Sequence, residues 1–223
     1  QAMGRKSGFI TAAARLGDPE REMPLQLYMA ESNHTLESLA ENVNRQLKRT
    51  GRCIVIVNEG FNAGDLGESY DGFGHIEYGA SKTTAAQKVV NYLNSIGLNA
   101  RGNVTGQVPG VLQRSVSIHA SKVDIEEAYE VGKRAVEIGI NEGTGWMATI
   151  LRAPGGTYKA VFDKVPLEVV ANSVRYLPSH WITRDGIDVT DDFVRYAMPL
   201  IGDGWPEIKI EKGLQRFTRF NIK

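Results

Sequence analysis

The fold is decided by residues 25–58, which read LQLYMAESNHTLESLAENVNRQLKRTGRCIVIVN. Residues 25–30 and 52–58 are apolar runs of strand length. Between them, Thr35 is a favourable helix N-cap, apolar residues recur at helical spacing, and Gly51 is a typical helix end. This order of strand, helix and strand predicts a parallel βαβ unit. In such units ligands bind at the carboxyl ends of strands and the amino ends of helices.

The same alternation continues through the rest of the chain. Helices are predicted over residues 6–16, after an N-cap at Ser81, from a capping-box-like pair at Asp124 and Glu127, and after Thr190, and strands over 146–151 and 158–163. The glycine-rich stretch 60–79 is too rich in glycine for regular structure and predicts a loop. We therefore expect an α/β protein with a parallel sheet.

Composition excludes several classes of protein. The 223 residues carry 26 basic and 26 acidic side chains, so no overall field attracts nucleic acid or an anionic membrane. No apolar stretch is long enough to span a bilayer, and the four histidines lack the spacing of metal ligands. The single cysteine, Cys53, lies in an apolar strand, which predicts a buried thiol, no internal disulfide and a reducing, cytoplasmic location.

Two segments with glycine and arginine are candidates for a sugar-phosphate site. Met3-Gly4-Arg5 precedes a predicted helix, where free N–H groups favour an anion or sugar oxygens. Residues 109–114, PGVLQR, place a guanidinium at a predicted strand end, and its planar donors suit a phosphate dianion. On spacing alone, a turn followed by a solvated charge is the simpler explanation of each segment.

Five motifs in order resemble those of the 6-phosphofructokinase family. They are MGRKSGF at 3–9, YMAE at 28–31, VIVNEG at 55–60, PGVLQR at 109–114 and AYEVG at 128–132. The resemblance covers nearly the whole chain. The chain is similar to the pyrophosphate-dependent branch of the family, because Gln113-Arg114-Ser115 stands where ATP-dependent enzymes usually have Gln-Arg-Gly-Gly.

The resemblance implies a three-layer parallel-sheet phosphofructokinase-like fold that is incomplete at its amino terminus. The sugar-phosphate-binding domain would span residues 1–113, and residues 114–223 would form part of the partner domain and a carboxyl-terminal arm. The family's Gly-Gly-Asp and Thr-x-Asp-x-Asp segments do not occur in the chain. The chain is thus expected to resemble the carboxyl-terminal, acceptor-sugar half.

The implied activity is transfer of a phosphoryl group from pyrophosphate, or from ATP, to the 1-hydroxyl of fructose 6-phosphate in glycolysis. Mg²⁺ would serve the full-length enzyme through ligands outside this chain, and the chain alone would be inactive. A homodimer or homotetramer is implied, with neither nucleic acid nor membrane as partner. A non-catalytic sugar-phosphate-binding or regulatory module is the alternative.

The resemblance also implies roles for single residues of the first motifs. Met3 and Gly4 would line the fructose ring, and Arg5 would stabilise the phosphoryl group in transfer. Glu31 would accept hydrogen bonds from sugar hydroxyls, although a role beside the N-cap Thr35 explains it equally well.

Further roles follow for the second glycine–arginine segment. Arg114 would bind the 6-phosphate, and Arg101 would act from a neighbouring subunit, because Thr105 occupies the family's usual arginine position. Val111 departs from the family's His or Tyr, which donates to the phosphate. Either Tyr158 or another donor compensates, or phosphate binding is weaker.

Overall fold

A computed structural model describes residues 1–217 and 219–221 of the chain. Its helices are α1 (Phe9–Ala13), α2 (Leu36–Thr50), α3 (Ala85–Ile96), α4 (Leu112–Ser115), α5 (Lys122–Asn141), α6 (Leu167–Val170) and α7 (Asp191–Ile201). Its strands are β1 (Leu25–Tyr28), β2 (Ile54–Val57), β3 (Trp146–Arg152), β4 (Ala160–Pro166), β5 (Ile210–Glu211) and β6 (Leu214–Gln215). No described helix is long and apolar enough to cross a membrane.

The chain folds into two compact units. The first contains residues 1–113 and 174–197, and the second contains 114–173 and the described residues from 198 onward. The sequence predicts one domain over 114–223, whereas residues 174–197 group with the first unit. That segment packs on the first unit, since Leu27 N–H donates to the carbonyl of Ile187 (2.8 Å) and Phe193 is buried beside Leu27.

The predicted βαβ unit is confirmed at the start of the first unit. β1 and β2 pair in parallel, with Leu25 opposite Ile54, and α2 connects them. Thr35 Oγ1 accepts from the N–H of Ser38 (3.3 Å), and Ser38 Oγ accepts from the N–H of Thr35 (3.0 Å), which satisfies two of the free donors at the start of α2. Gly51 ends the helix in the left-handed region at φ 73°.

Two predicted helix starts were each wrong by three residues. α3 is capped by Thr84 rather than Ser81, and α5 is capped by Ser121, whose Oγ accepts from the N–H of Asp124 (3.2 Å). Several Ser and Thr residues near each start are competent caps, so packing of the apolar face chooses among them.

The strand pairing after residue 145 differs from the parallel pattern. β3 and β4 form an antiparallel hairpin, with Trp146 opposite Pro166. The loop between them is too short to carry the crossover that parallel strands require. α5 packs against this hairpin in the second unit.

Two buried clusters form the core of the first unit. One lies between the β1–β2 sheet and α2 and α3, and includes Tyr28, Leu39, Val43, Val89 and Leu93. The other joins α1 and β1 to residues 177–197, and includes Ala12, Leu27, Met29, Val189 and Phe193. The 174–197 segment therefore completes a core that the first 113 residues begin.

A buried ion cluster fastens this segment to the turn after α1. Arg15 is 1% exposed, and its guanidinium contacts Asp18 (2.7 Å) and Asp188 (2.9 Å). Arg15 also donates to the carbonyl of Leu25 (3.2 Å) at the start of β1. One side chain thus joins three parts of the first unit.

We expect Arg15→Met to lower the free energy of unfolding by about 3 kcal/mol, because it leaves two acidic side chains without their buried partner. Denaturant titration measures this change. Arg195→Met is the matched control, since Arg195 pairs with Asp192 on an exposed surface and its loss should change little. Equal stability of the two variants would contradict a structural role for Arg15.

Cys53 precedes β2 in an apolar environment, and burial raises the pKa of its thiol to about 11. At pH 8 we expect alkylation of the native chain to be about a hundredfold slower than that of a free thiol, because little thiolate forms. The rate should rise steeply toward pH 11. The denatured chain is the control and should react as an ordinary cysteine. Because the native pKa is the higher one, stability should fall as the pH rises above the unfolded thiol's pKa.

Candidate functional site

The Met-Gly-Arg motif forms a loop at the carboxyl end of β2. Ala2 extends the sheet beside β2: its N–H donates to the carbonyl of Val57 (2.9 Å), and its carbonyl accepts from the N–H of Glu59 (2.9 Å). The chain then turns at residues 3–7 and enters α1. Two motifs that are distant in sequence, 3–7 and 58–60, therefore meet where ligands bind in parallel α/β sheets.

The Glu59 carboxylate holds this loop. Its Oε1 accepts from the backbone N–H groups of Gly4 (3.0 Å) and Arg5 (2.8 Å), and the residue is 7% exposed. Both N–H groups face the same oxygen because the backbone is unusual there, with φ 149° at Gly4 and φ 49° at Arg5. A non-glycine residue at positive φ is strained, and such strain is typical of functional sites. The Arg5 side chain is exposed.

Gly60 allows the close approach of the two segments. A side-chain Cβ at this position would lie 2.0 Å from the carbonyl oxygen of Arg5. In the sequence, Glu59 and Gly60 belong to one of the motifs that resemble the family, but the motif alone predicts no role for either. The signal that could have found them is their position directly after a predicted strand, which is a typical location for functional side chains.

The start of α1 differs from the prediction. The helix begins at Phe9 rather than residue 6, so Gly4 and Arg5 lie in the preceding turn and not at the helix terminus. The N–H of Gly8, at the N-cap, donates to Glu31 Oε1 (3.0 Å). A carboxylate of the protein itself therefore satisfies this part of the predicted anion site.

Glu31 lies behind the loop, at the end of β1. Its Oε1 also accepts from the N–H of Leu177 (2.6 Å), so it joins Gly8 to the 174–197 segment. Its Oε2 is buried and has no hydrogen-bond partner among the described residues. Next to this contact, Ser7 Oγ donates to the carbonyl of Arg175 (2.8 Å).

Tyr78 comes from the glycine-rich loop and lies within electrostatic range of the same site. Its half-buried position raises the pKa of its hydroxyl, as do the negative charges of Glu68 and Glu59, whereas Arg5 has the opposite effect. The hydroxyl therefore keeps its proton near neutral pH and remains a hydrogen-bond donor.

The second glycine–arginine segment meets the first through Gln113. Gln113 Oε1 accepts from the N–H of Met3 (3.0 Å), so residues 109–113 lie against the Met-Gly-Arg loop. Arg101 is exposed and borders a cavity of about 760 Å³ beside β2 and α3. Arg114 is exposed in α4 and is the first residue of the second unit.

Val111 is 72% exposed, and its side chain offers no hydrogen-bond donor. Tyr158, expected as a substitute donor, lies in the second unit, where its hydroxyl donates to Glu127 Oε1 (2.5 Å) and its ring stacks under Arg152 (4.6 Å). Tyr158 is thus already engaged within its own unit.

Within residues 1–217 and 219–221, no three His, Cys, Asp or Glu side chains are grouped so as to hold a metal ion. The described residues therefore form no preformed metal cage of three such ligands.

Comparison with known proteins identifies relatives of the chain. No protein-family model matches the chain. It is 34% identical over 215 residues to a pyrophosphate–fructose 6-phosphate 1-phosphotransferase of Rhodospirillum rubrum, covering 92% of the chain and 52% of the relative. A protein of the same name from Halomonas elongata is 30% identical over 226 residues, covering 98% of the chain and 52% of the relative.

A solved structure shares the fold. The crystal structure of a pyrophosphate-dependent phosphofructokinase from Marinobacter aquaeolei superposes with a TM-score of 0.76 at 29% identity, covering 96% of this chain and 50% of that one. The chain thus spans about half the length of the relatives it matches. In sequence and fold, the chain is similar to about half of these pyrophosphate-dependent phosphofructokinases.

Proposed function

We propose that the chain is the acceptor-sugar half of a pyrophosphate-dependent phosphofructokinase, acting in the cytoplasm in glycolysis. The whole enzyme would transfer a phosphoryl group from pyrophosphate to the 1-hydroxyl of fructose 6-phosphate. The observation that carries the proposal is the Met-Gly-Arg loop, which Glu59 holds in a strained conformation at the carboxyl end of β2. The names of the relatives support the substrate and the donor.

The loop and its neighbours would bind the sugar. Met3 and Gly4 would lie along the fructose ring, with Gln113 fixing Met3 from the other side. Glu59, which is 7% exposed, would hold the loop in place beside the sugar. Glu31 Oε2 is buried and makes no hydrogen bond among the described residues, and it would accept from a sugar hydroxyl if the loop moves.

Arg5 would act on the transferred group. Its guanidinium is exposed while its backbone is fixed by Glu59, so the positive charge is available to the solvent-facing side of the loop. As the bond between the phosphoryl group and the departing phosphate breaks and the bond to the sugar oxygen forms, negative charge spreads over the phosphoryl oxygens. A positioned guanidinium stabilises that charge.

Other parts of the reaction lie outside the described residues. The proton of the 1-hydroxyl would go to a carboxylate in the Thr-x-Asp-x-Asp segment of the family, which the chain does not contain. Mg²⁺ would neutralise the donor through ligands in the same missing part. The proposal also includes a homodimer or homotetramer, in which Arg101 reaches the site of a neighbouring subunit.

Calorimetric titration with fructose 6-phosphate tests the acceptor site. We expect Arg114→Ala to weaken binding by about ten- to a hundredfold, because a charge-assisted contact to phosphate is lost. Arg45→Ala is the matched control, since Arg45 is exposed on α2 and its guanidinium donates to the side chain of Asn42. Fructose without phosphate should bind wild type and Arg114→Ala equally. An unchanged affinity for fructose 6-phosphate in Arg114→Ala would remove Arg114 from the site.

The chain alone should not catalyse the reaction. We expect no fructose 1,6-bisphosphate when the purified 223 residues are incubated with fructose 6-phosphate, Mg²⁺ and either pyrophosphate or ATP, because the base is absent from them. A coupled aldolase assay measures the product, and an active relative serves as positive control. Turnover by the chain alone would show that it contains a complete active site.

A further inference from the structure

Asn58 lies between β2 and Glu59 and takes no part in the proposed sugar binding or phosphoryl transfer. It is fully buried, at 0% exposure, and lies directly under the Met-Gly-Arg loop. A polar side chain is costly to bury unless its hydrogen bonds are made, so its contacts indicate what it is for.

The Asn58 side chain makes three such contacts. Nδ2 donates to the carbonyl of Ser7 (3.1 Å) and to Thr11 Oγ1 (3.3 Å), and Oδ1 accepts from the N–H of Gly60 (2.7 Å). The side chain therefore connects the last residue of the loop, the middle of α1 and the turn after Glu59.

The three contacts require an amide in particular. Gly60 offers a donor, so the atom facing it must accept, whereas the carbonyl of Ser7 can only accept, so the atom facing it must donate. An aspartate would set its second oxygen against the Ser7 carbonyl, and a leucine of similar size would satisfy none of the groups. Only a side chain with an acceptor and a donor on one planar group fits.

Asn58 and Glu59 hold opposite ends of the same loop. Glu59 fixes the N–H groups of Gly4 and Arg5, while Asn58 fixes the carbonyl of Ser7, whose own N–H donates to the carbonyl of Gly4 (2.9 Å). Gly4 is in close contact as well, because a Cβ there would lie 2.9 Å from Asn58 Nδ2. The strained φ of Arg5 needs support from both sides to persist.

We infer that Asn58 is a positioning residue that holds the Met-Gly-Arg loop in its binding conformation, so that its loss lowers the affinity for the sugar phosphate through Arg5 and Gly4. The identity of the ligand in this inference rests on the proposed function, whereas the role of Asn58 in fixing the loop conformation does not. Asn58 itself touches no substrate.

Hydrogen exchange followed by NMR tests the loop without any ligand. In Asn58→Asp we expect the N–H groups of Gly4, Arg5 and Ser7 to exchange about tenfold faster or more, since one hydrogen-bond clamp is lost. The N–H of Leu27 in β1 is the internal reference and should change much less. A parallel acceleration at Leu27 would mean that Asn58 only stabilises the fold, and would overturn the inference.

Two further variants keep the test decisive. Asn94→Asp is the matched control, because Asn94 also bonds to a backbone N–H and carbonyl, both of Val104, but lies away from the loop. It should change neither exchange in the loop nor binding. Asn58→Ser adds no buried charge and should fold more readily. It should speed the exchange of the same loop N–H groups, but less than Asn58→Asp does.

Titration with fructose 6-phosphate completes the experiment. We expect affinity to fall by about fivefold to tenfold in Asn58→Asp, less in Asn58→Ser, and not at all in Asn94→Asp. A loosened loop with unchanged affinity would overturn the inference. If wild type itself does not bind the ligand, the proposed function fails and so does the binding part of the inference, whereas the exchange data still decide whether Asn58 fixes the loop.

Discussion

The candidate site depends on one carboxylate oxygen that accepts from two consecutive backbone N–H groups. Glu59 Oε1 can reach both Gly4 and Arg5 only while the loop keeps its positive φ values. A charged acceptor makes stronger hydrogen bonds than a neutral one, and near-complete burial strengthens them further. This interaction offsets the strain at Arg5, and it also explains why Gly60 must lack a side chain. The orientation of the loop thus follows from the position of Glu59 at the end of a short parallel strand.

Much of the fold could be predicted because local signals agreed with the final packing. Thr35, the apolar face of α2 and Gly51 all favour the same helix, and two apolar runs flank it, so the βαβ unit was predictable. The starts of α3 and α5 were displaced because neighbouring Ser and Thr residues compete as caps. The return of residues 174–197 to the first unit depends on contacts over more than 150 residues, such as Arg15 with Asp188. Such contacts leave no periodic signal.

The candidate site was predictable only in part, for a related reason. Met3, Gly4 and Arg5 form a recognisable motif, but the groups that shape the loop are Asn58, Glu59 and Gly60, which read simply as the end of a strand. Glu31 was expected to accept from sugar hydroxyls; its Oε1 bonds to the backbone of Gly8 and Leu177, and its role toward the sugar stays a prediction. The difference between a ligand-binding and a loop-supporting carboxylate lies in which N–H groups it meets, and that depends on three-dimensional arrangement.

The discontinuous first unit has a consequence for how the polypeptide acquires its structure during synthesis. The chain passes from the first unit to the second after residue 113, returns at 174 and leaves again after 197. During synthesis, the part of the first unit before residue 114 therefore exposes an apolar surface until Val189 and Phe193 have been translated. A single proteolytic cut cannot release the first unit as one continuous fragment. A chain that ends before residue 174 therefore contains the complete βαβ unit but not the residues that cover this apolar surface.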